Sequence, residues 1–264
     1  SNKIISNLIN EQYRRGYTHI FVYTKPKNSL IFRDFGFYDI ESVEDKVILL
    51  ENKKNGIKDY CNKLIKETPK IYFENIASVV INANPFTLGH RYLIEEASRE
   101  NDLVHVFVLW ENKSFFSNVD RYNMVEKGLA DLENVILHKA NDYIISNATF
   151  PSYFIREKNE VLKIQAILDS KIFSSYIAKS LNITKRYVGE EPFSKSTNEY
   201  NKIMKRVLKE YGLNLIEIKR KEFENVAISA SKVRELFKQR CLDEIKNFVP
   251  KSTYDYLFNL SNVD

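Results

Sequence analysis

Cysteine is scarce. Cys61 and Cys241 are the two in 264 residues, far apart and without a CxxC companion, which excludes a disulfide frame as the basis of the fold. The four histidines form no pair at metal-ligand spacing, so no zinc site is expected and no metal ligands can be named. No apolar run approaches the roughly 18 residues of a membrane span, and no signal-peptide pattern opens the chain, so a cytoplasmic protein without a membrane partner is expected. Ser1-Asn2-Lys3 runs straight into helical periodicity, which reads as a start inside a longer protein or behind an expression scar. An excess of one charge is missing too. Forty basic side chains face 35 acidic ones for a formal charge of +5, and Lys and Arg are spread over helix faces, so no nucleic-acid partner is expected.

What is present is a globular composition. At 44% hydrophobic and 13% aromatic, the chain can bury one large core or two modest ones. Ile4, Ile5, Leu8 and Ile9 share a helical stripe over 4–15, stopped by Gly16. A strand is predicted over 18–24, a short helix over 29–35 and a strand over 47–51. Residues 52–70 carry Ile57, Tyr60, Leu64 and Ile65 at helical spacing and close at Pro69, which reads as a linker helix ending a first domain, 1–70. From 71 to 264 strands alternate with helices. Strands are expected at 76–82, 103–110, 134–139, 185–190 and 213–219, with helices at 90–100, 118–131, 155–181 in two pieces, 195–211 and 229–240. Five strands with crossover helices predict an α/β doubly wound parallel sheet, whose ligands bind beyond the strands' carboxyl ends. The turns after the first, second and fourth strands should therefore meet the start of the helix at 229.

The turn after the first strand, Asn82-Ala-Asn84-Pro85-Phe86-Thr87-Leu-Gly89-His90, is the most informative stretch. It holds two side-chain amides, a backbone-fixing proline, a glycine permitting close approach, and a histidine opening a helix whose N-terminus suits a phosphate. Thr87-Leu-Gly89-His90 resembles the (H/T)xGH signature of the nucleotidyltransferase superfamily, which moves AMP from ATP. Ile228-Ser229-Ala-Ser231-Lys-Val-Arg234 resembles that superfamily's ISxSxxR element. A plain helix start capped by Thr87 or by Ser229 is the rival reading of each. The resemblance implies ATP with Mg2+ on its phosphates. His90 would donate to the α-phosphate or bridging oxygen, Thr87 would touch a phosphate oxygen, and Arg234 with Ser231 would hold the β- and γ-phosphates. Lys113 stands where a cation could reach the α-phosphate, or is a solvated loop lysine. His105 and His138 read as packed residues, and Asp120-Arg121 as a helix start.

Two further resemblances extend over the chain. Helix, strand, helix, strand around KPKNSLIFRDFGFY is similar to the C-terminal half of a GNAT-type acetyltransferase, but the glycine-rich turn that holds acetyl-CoA is missing, so a partial GNAT-like lobe without that activity is expected. Residues 144–154 and 186–201 resemble the citrate lyase ligase family, whose Rossmann-like nucleotidyltransferase domain follows such a lobe. The resemblance implies that ATP and acetate give acetyl-adenylate and pyrophosphate. The acetyl group then passes to the thiol on the acyl-carrier subunit of citrate lyase and activates it. It also puts Gly189 and Glu190 near the nucleoside. Thr149, Phe150, Pro151 and Tyr153 read as a wall of an acetate or thiol-arm pocket, or as a tight aromatic turn that merely covers the sheet. The alternatives are a tRNA cytidine acetate ligase, an adenylyltransferase such as pantetheine-phosphate adenylyltransferase, or a lobe that binds nucleotide without chemistry.

Overall fold

In the computed structural model, residues 2–145, 150–151, 155, 158–191, 194–224 and 226–261 are described. Before residue 70 the chain forms α1 (Asn2–Arg14), β1 (Phe21–Thr24), α2 (Ser29–Asp34), β2 (Tyr38–Val43), β3 (Val47–Glu51) and α3 (Gly56–Glu67). The three strands make an antiparallel sheet in the order β1-β3-β2. Strand β2 is not anticipated by the sequence reading: its alternation is broken by a register shift between Asp39 and Glu41, and only pairing with the wholly buried β3 organises it. The first strand also begins later than the predicted 18. Asn52 takes over there, its Oδ1 accepting from the Ile20 amide at 2.8 Å while its Nδ2 donates to the Thr18 carbonyl at 3.1 Å.

The rest of the chain is β4 (Ile76–Ile81), α4 (Leu88–Arg99), β5 (Leu103–Val108), α5 (Asn118–Gly128), β6 (Val135–Lys139), α6 (Lys158–Ile172), α7 (Lys179–Leu181), β7 (Lys185–Gly189), α8 (Lys195–Glu210), β8 (Asn214–Ile218), a short hairpin of β9 (Glu222–Phe223) and β10 (Val226–Ala227), α9 (Ala230–Lys238), α10 (Leu242–Ile245) and α11 (Lys251–Ser261). Strands β4 to β8 form one parallel sheet in the order β6-β5-β4-β7-β8. The central strand β4 thus has β5 on one side and β7 on the other, and the order reverses there, which opens a crevice at the carboxyl ends of β4 and β7. Ala77, Val79 and Ile81 face a core shared with α4, α5, α9 and α11. The opposite face packs against α6 and α8.

Two departures matter for the site. Instead of two helical pieces over 155–181, α6 continues without a break through a π-helical turn, Phe173–Ala178, into α7. Helix α4 begins at Leu88, so His90 is its third residue rather than its opener. The antiparallel sheet is also not packed apart from the parallel one. Val47, Leu49, Ile57, Tyr60 and Leu64 belong to the same buried cluster as Leu103, Phe107, Leu168 and Phe173.

Candidate active site

A buried arginine holds the turn after β4 from below. Arg121 on α5 has no exposed surface, and its Nη1 donates to the Asn82 carbonyl at 2.8 Å, to Asn82 Oδ1 at 2.6 Å and to the Leu109 carbonyl at 2.8 Å. Its Nη2 donates to the Glu111 carbonyl, with the Glu111 carboxylate 3.6 Å away. One guanidinium therefore joins the chain leaving β4 to the chain leaving β5. Between Asn82 and Thr87 the backbone is tightly folded. Ala83 is wholly buried with φ +51°, a left-handed conformation that a non-glycine residue keeps only where its surroundings hold it. Asn84 Oδ1 accepts from the Phe116 amide at 3.1 Å.

Thr87 caps α4. Its Oγ1 accepts from the His90 amide at 3.3 Å, and its own amide donates to His90 Nδ1 at 3.1 Å. A backbone N–H can only donate, so Nδ1 is an acceptor and the neutral ring carries its proton on Nε2. The His90 ring lies nearly parallel to Phe86, with centroids 6.0 Å apart and an 11° interplanar angle. Burial lowers the His90 pKa to about 4, and the positive charge of Arg220 pushes in the same direction, so the imidazole is neutral near pH 7.

These groups face a cavity of about 540 Å³ over the carboxyl ends of β4, β7 and β8. Asn82, Thr87, Gly89 and His90 line it from the first turn, Gly189 from the fourth strand, and Ile228, Ser229 and Ser231 from the start of α9. The N-termini of α4 and α9 thus meet at one place. Gly89 makes that possible, because a Cβ there would lie 3.2 Å from the Ile228 carbonyl oxygen. Ser229 caps α9, its Oγ accepting from the Lys232 amide at 3.2 Å. Two partial positive helix ends beside a neutral histidine suit a polyphosphate.

Several expected site residues lie elsewhere. Asn84, Pro85 and Phe86 do not line the cavity; Phe86 is wholly buried against Gly128, where a Cβ would come within 2.6 Å of its ring. Arg234 does not line it either. Its Nη1 donates to the Asn84 carbonyl at 2.5 Å and its Nη2 to Ser231 Oγ at 2.9 Å, fastening α9 to the first turn. Lys113 is exposed and outside the lining, and Glu190 takes part through its backbone, accepting from Arg220 Nε at 3.0 Å. Thr149 and Tyr153 lie outside the described residues. Phe150 is buried, its ring set edge-on to Tyr23 with centroids 5.6 Å apart, and with Pro151 it is absent from the lining, although the neighbouring Ile144 and Ile145 belong to it.

The sequence reading missed the cations. Lys219, Arg220 and Lys221 follow β8 directly and all three line the cavity, with Arg220 also ion-paired to Glu191. The signal was legible: three consecutive bases at a strand's carboxyl end, had the fifth strand been treated like the others. Arg186 and Asp169, inside β7 and α6, line the deeper end. Among the described residues no group of three or more His, Cys, Asp or Glu side chains is drawn together as a metal site.

The crevice of a parallel α/β sheet thus joins two capped helix N-termini, a neutral histidine and a basic run. Residues 76–257 match the family described as the citrate lyase ligase C-terminal domain. Curated relatives include the [citrate [pro-3S]-lyase] ligases of Haemophilus influenzae, 39% identical over 97% of this chain and 77% of that protein, and of Escherichia coli, 40% identical over 97% of this chain and 74% of that protein. This chain belongs to the citrate lyase ligase family. Among solved structures, a Vibrio parahaemolyticus nicotinate-nucleotide adenylyltransferase described as putative in its structure report aligns over 70% of this chain and 99% of its own, with a TM-score of 0.43 and 17% identity.

Proposed function

We propose that this chain activates a citrate lyase by ATP-dependent acetylation of the thiol on the lyase's acyl-carrier subunit. The observation that carries the reading within the site is His90, a neutral imidazole with its proton on Nε2, at the cavity where two helix N-termini meet. A carboxylate oxygen of acetate attacks the α-phosphorus of ATP; that P–O bond forms, the bond to the bridging oxygen breaks, and pyrophosphate leaves with the electron pair. Acetate is already deprotonated, so the step needs no base. It needs donors that meet the charge growing on the phosphate oxygens. His90 Nε2–H supplies one, while Ser229, Ser231 and the base run Lys219-Arg220-Lys221 hold the β- and γ-phosphates. Thr87 sets the tautomer and direction of His90, and Arg234 sets the position of Ser231. Mg2+ would arrive with the ATP phosphates and screen their charge, since among the described residues no group of three or more His, Cys, Asp or Glu side chains is gathered to hold it. In the second step the thiol sulfur attacks the acetyl carbon, the C–O bond to AMP breaks, and the thiol proton passes to solvent.

In this reading residues 71–264 are the catalytic domain and residues 1–70 a lobe that supports it. The RNA acceptor of the alternative reading is disfavoured by charge. Glu191 lines the cavity and Glu95, Glu96, Glu190 and Glu199 lie close in sequence to the site turns, whereas RNA binding needs a continuous basic surface. The test is labelled acetate incubated with ATP, the protein and each acceptor in turn. Label on the deacetylated carrier subunit and none on tRNA is the expected result; label on tRNA alone overturns it.

A further inference from the structure

The deep end of the cavity contains a charge that the phosphate chemistry does not use. Arg186 is the second residue of β7, away from the carboxyl end where the helix N-termini meet, and is only 4% exposed. Its guanidinium rests on the Phe173 ring at 4.4 Å, and Phe173 begins the π-helical turn that continues α6. Asp169 Oδ2 lies 3.6 Å from Arg186 Nη2, an ion-pair distance but too long for a hydrogen bond. Both Asp169 oxygens are already engaged: Oδ1 accepts from the Ile145 amide at 2.8 Å and Oδ2 from the Tyr200 hydroxyl at 3.0 Å. Among the described residues, Arg186 Nε and Nη1 have no hydrogen-bond partner. A buried guanidinium with two unmade hydrogen bonds is rare in a folded protein, because each unmet donor is costly away from water.

The surroundings specify what would meet those donors. Val80, Ile144, Ile145, Leu162, Val188 and Met204 make the adjoining wall apolar. A carboxylate oxygen is a strong acceptor for either donor, because the bond is charge-assisted, and a short alkyl group suits such a wall. Arg186 and Asp169 already balance each other, so a phosphate dianion would add two uncompensated charges beside the Asp169 carboxylate, whereas a monocarboxylate adds one.

We propose that Arg186 is the binding residue for the small monocarboxylic acid, holding its carboxylate at the deep end of the cavity with its alkyl group against Met204 and Ile145. This inference rests on the adenylate-forming reading above and names its acid subsite. It makes Arg186 a substrate contact, and makes the apolar wall the element that limits the acid's chain length.

The experiment is ATP–pyrophosphate exchange, with acetate and ATP varied separately. Exchange by the native chain that depends on acetate tests the function; its absence would sink that reading whatever Arg186 does. Given such exchange, Arg186→Lys, checked for native folding by its circular dichroism and melting, is expected to raise the KM for acetate at least tenfold while the KM for ATP stays within twofold. An unchanged acetate KM, or equal rises for both substrates, overturns the subsite. Met204→Ala leaves the ion pair intact and gives an independent readout. It should shift kcat/KM toward propionate over acetate by fivefold or more, and an unchanged ratio counts against the placement of the alkyl group.

Discussion

The Thr87 amide donates to His90 Nδ1 at 3.1 Å while Thr87 Oγ1 accepts from the His90 amide at 3.3 Å, so the two residues hold each other in a reciprocal cap. The helix start and the catalytic candidate are therefore one structure: the contacts that begin α4 also select the tautomer of His90. Capping by Thr87 and a chemical role for His90, which stand as rival readings of the sequence, are compatible in space.

His90→Ala is expected to slow adenylate formation by roughly a hundred- to a thousandfold, the usual effect of removing one donor to developing charge. ATP affinity should change little, because Ser229, Ser231 and the basic run remain. Acetate-dependent ATP–pyrophosphate exchange at saturating ATP measures this, and an exchange rate equal to that of the native protein would make His90 a structural residue only.

The pH profile should carry no limb from His90 near its ordinary value. Its folded pKa is lowered from 6.5 to about 4, so the imidazole keeps its neutral form through the neutral and mildly acidic range. The stability linked to this shift is present in full above pH 6.5 and is lost as pH falls toward 4, where the unfolded chain binds a proton that the folded chain refuses. Buried His105, lowered to about 3, adds a loss of the same sign. A rate limb between pH 6 and 7 that disappears in His90→Gln would contradict this account.

Arg234 and Ser231 should act as a unit. Charge-assisted hydrogen bonds contribute about 1.5–3 kcal/mol, so Arg234→Lys should slow adenylate formation by roughly ten- to a hundredfold if that contact aligns the transition state. Ser231→Ala added to Arg234→Lys should cost less than the product of the single losses. Strict additivity of the two effects would show that Arg234 does not work through Ser231.

Arg121→Met removes a cation that serves three carbonyls and the Asn82 side chain, and leaves the Glu111 carboxylate without that positive charge, held by the Lys113 amide and the Ser114 hydroxyl. Breaking a buried charged pair on one side costs about 3–5 kcal/mol. Urea unfolding should show that loss, with ATP binding weakened as the two turns separate. A variant of native stability would mean that the turns hold themselves.

The alternation of strands and helices, the parallel class of the sheet and the two turns that open α4 and α9 could all be read from the sequence. Each rests on local chemistry: β-branched runs bury on both faces of a parallel strand, and Thr87, Gly89 and Ser229 mark helix starts by what their side chains can cap or allow. The tertiary structure decided how these parts are shared out. It took Arg234 and Asn84 out of the cavity lining and made them ties, made Arg121 a hub beneath the turns, and brought Arg186 and Arg220 to the cavity on and just after the neighbouring strands β7 and β8. A long cation's partner depends on which backbone lies within reach once the sheet order is set, and nothing local to Arg121 or Arg186 records that order. A cap joins residues three positions apart, whereas the guanidinium contacts join positions 39 and 150 residues apart, and only the folded chain determines those.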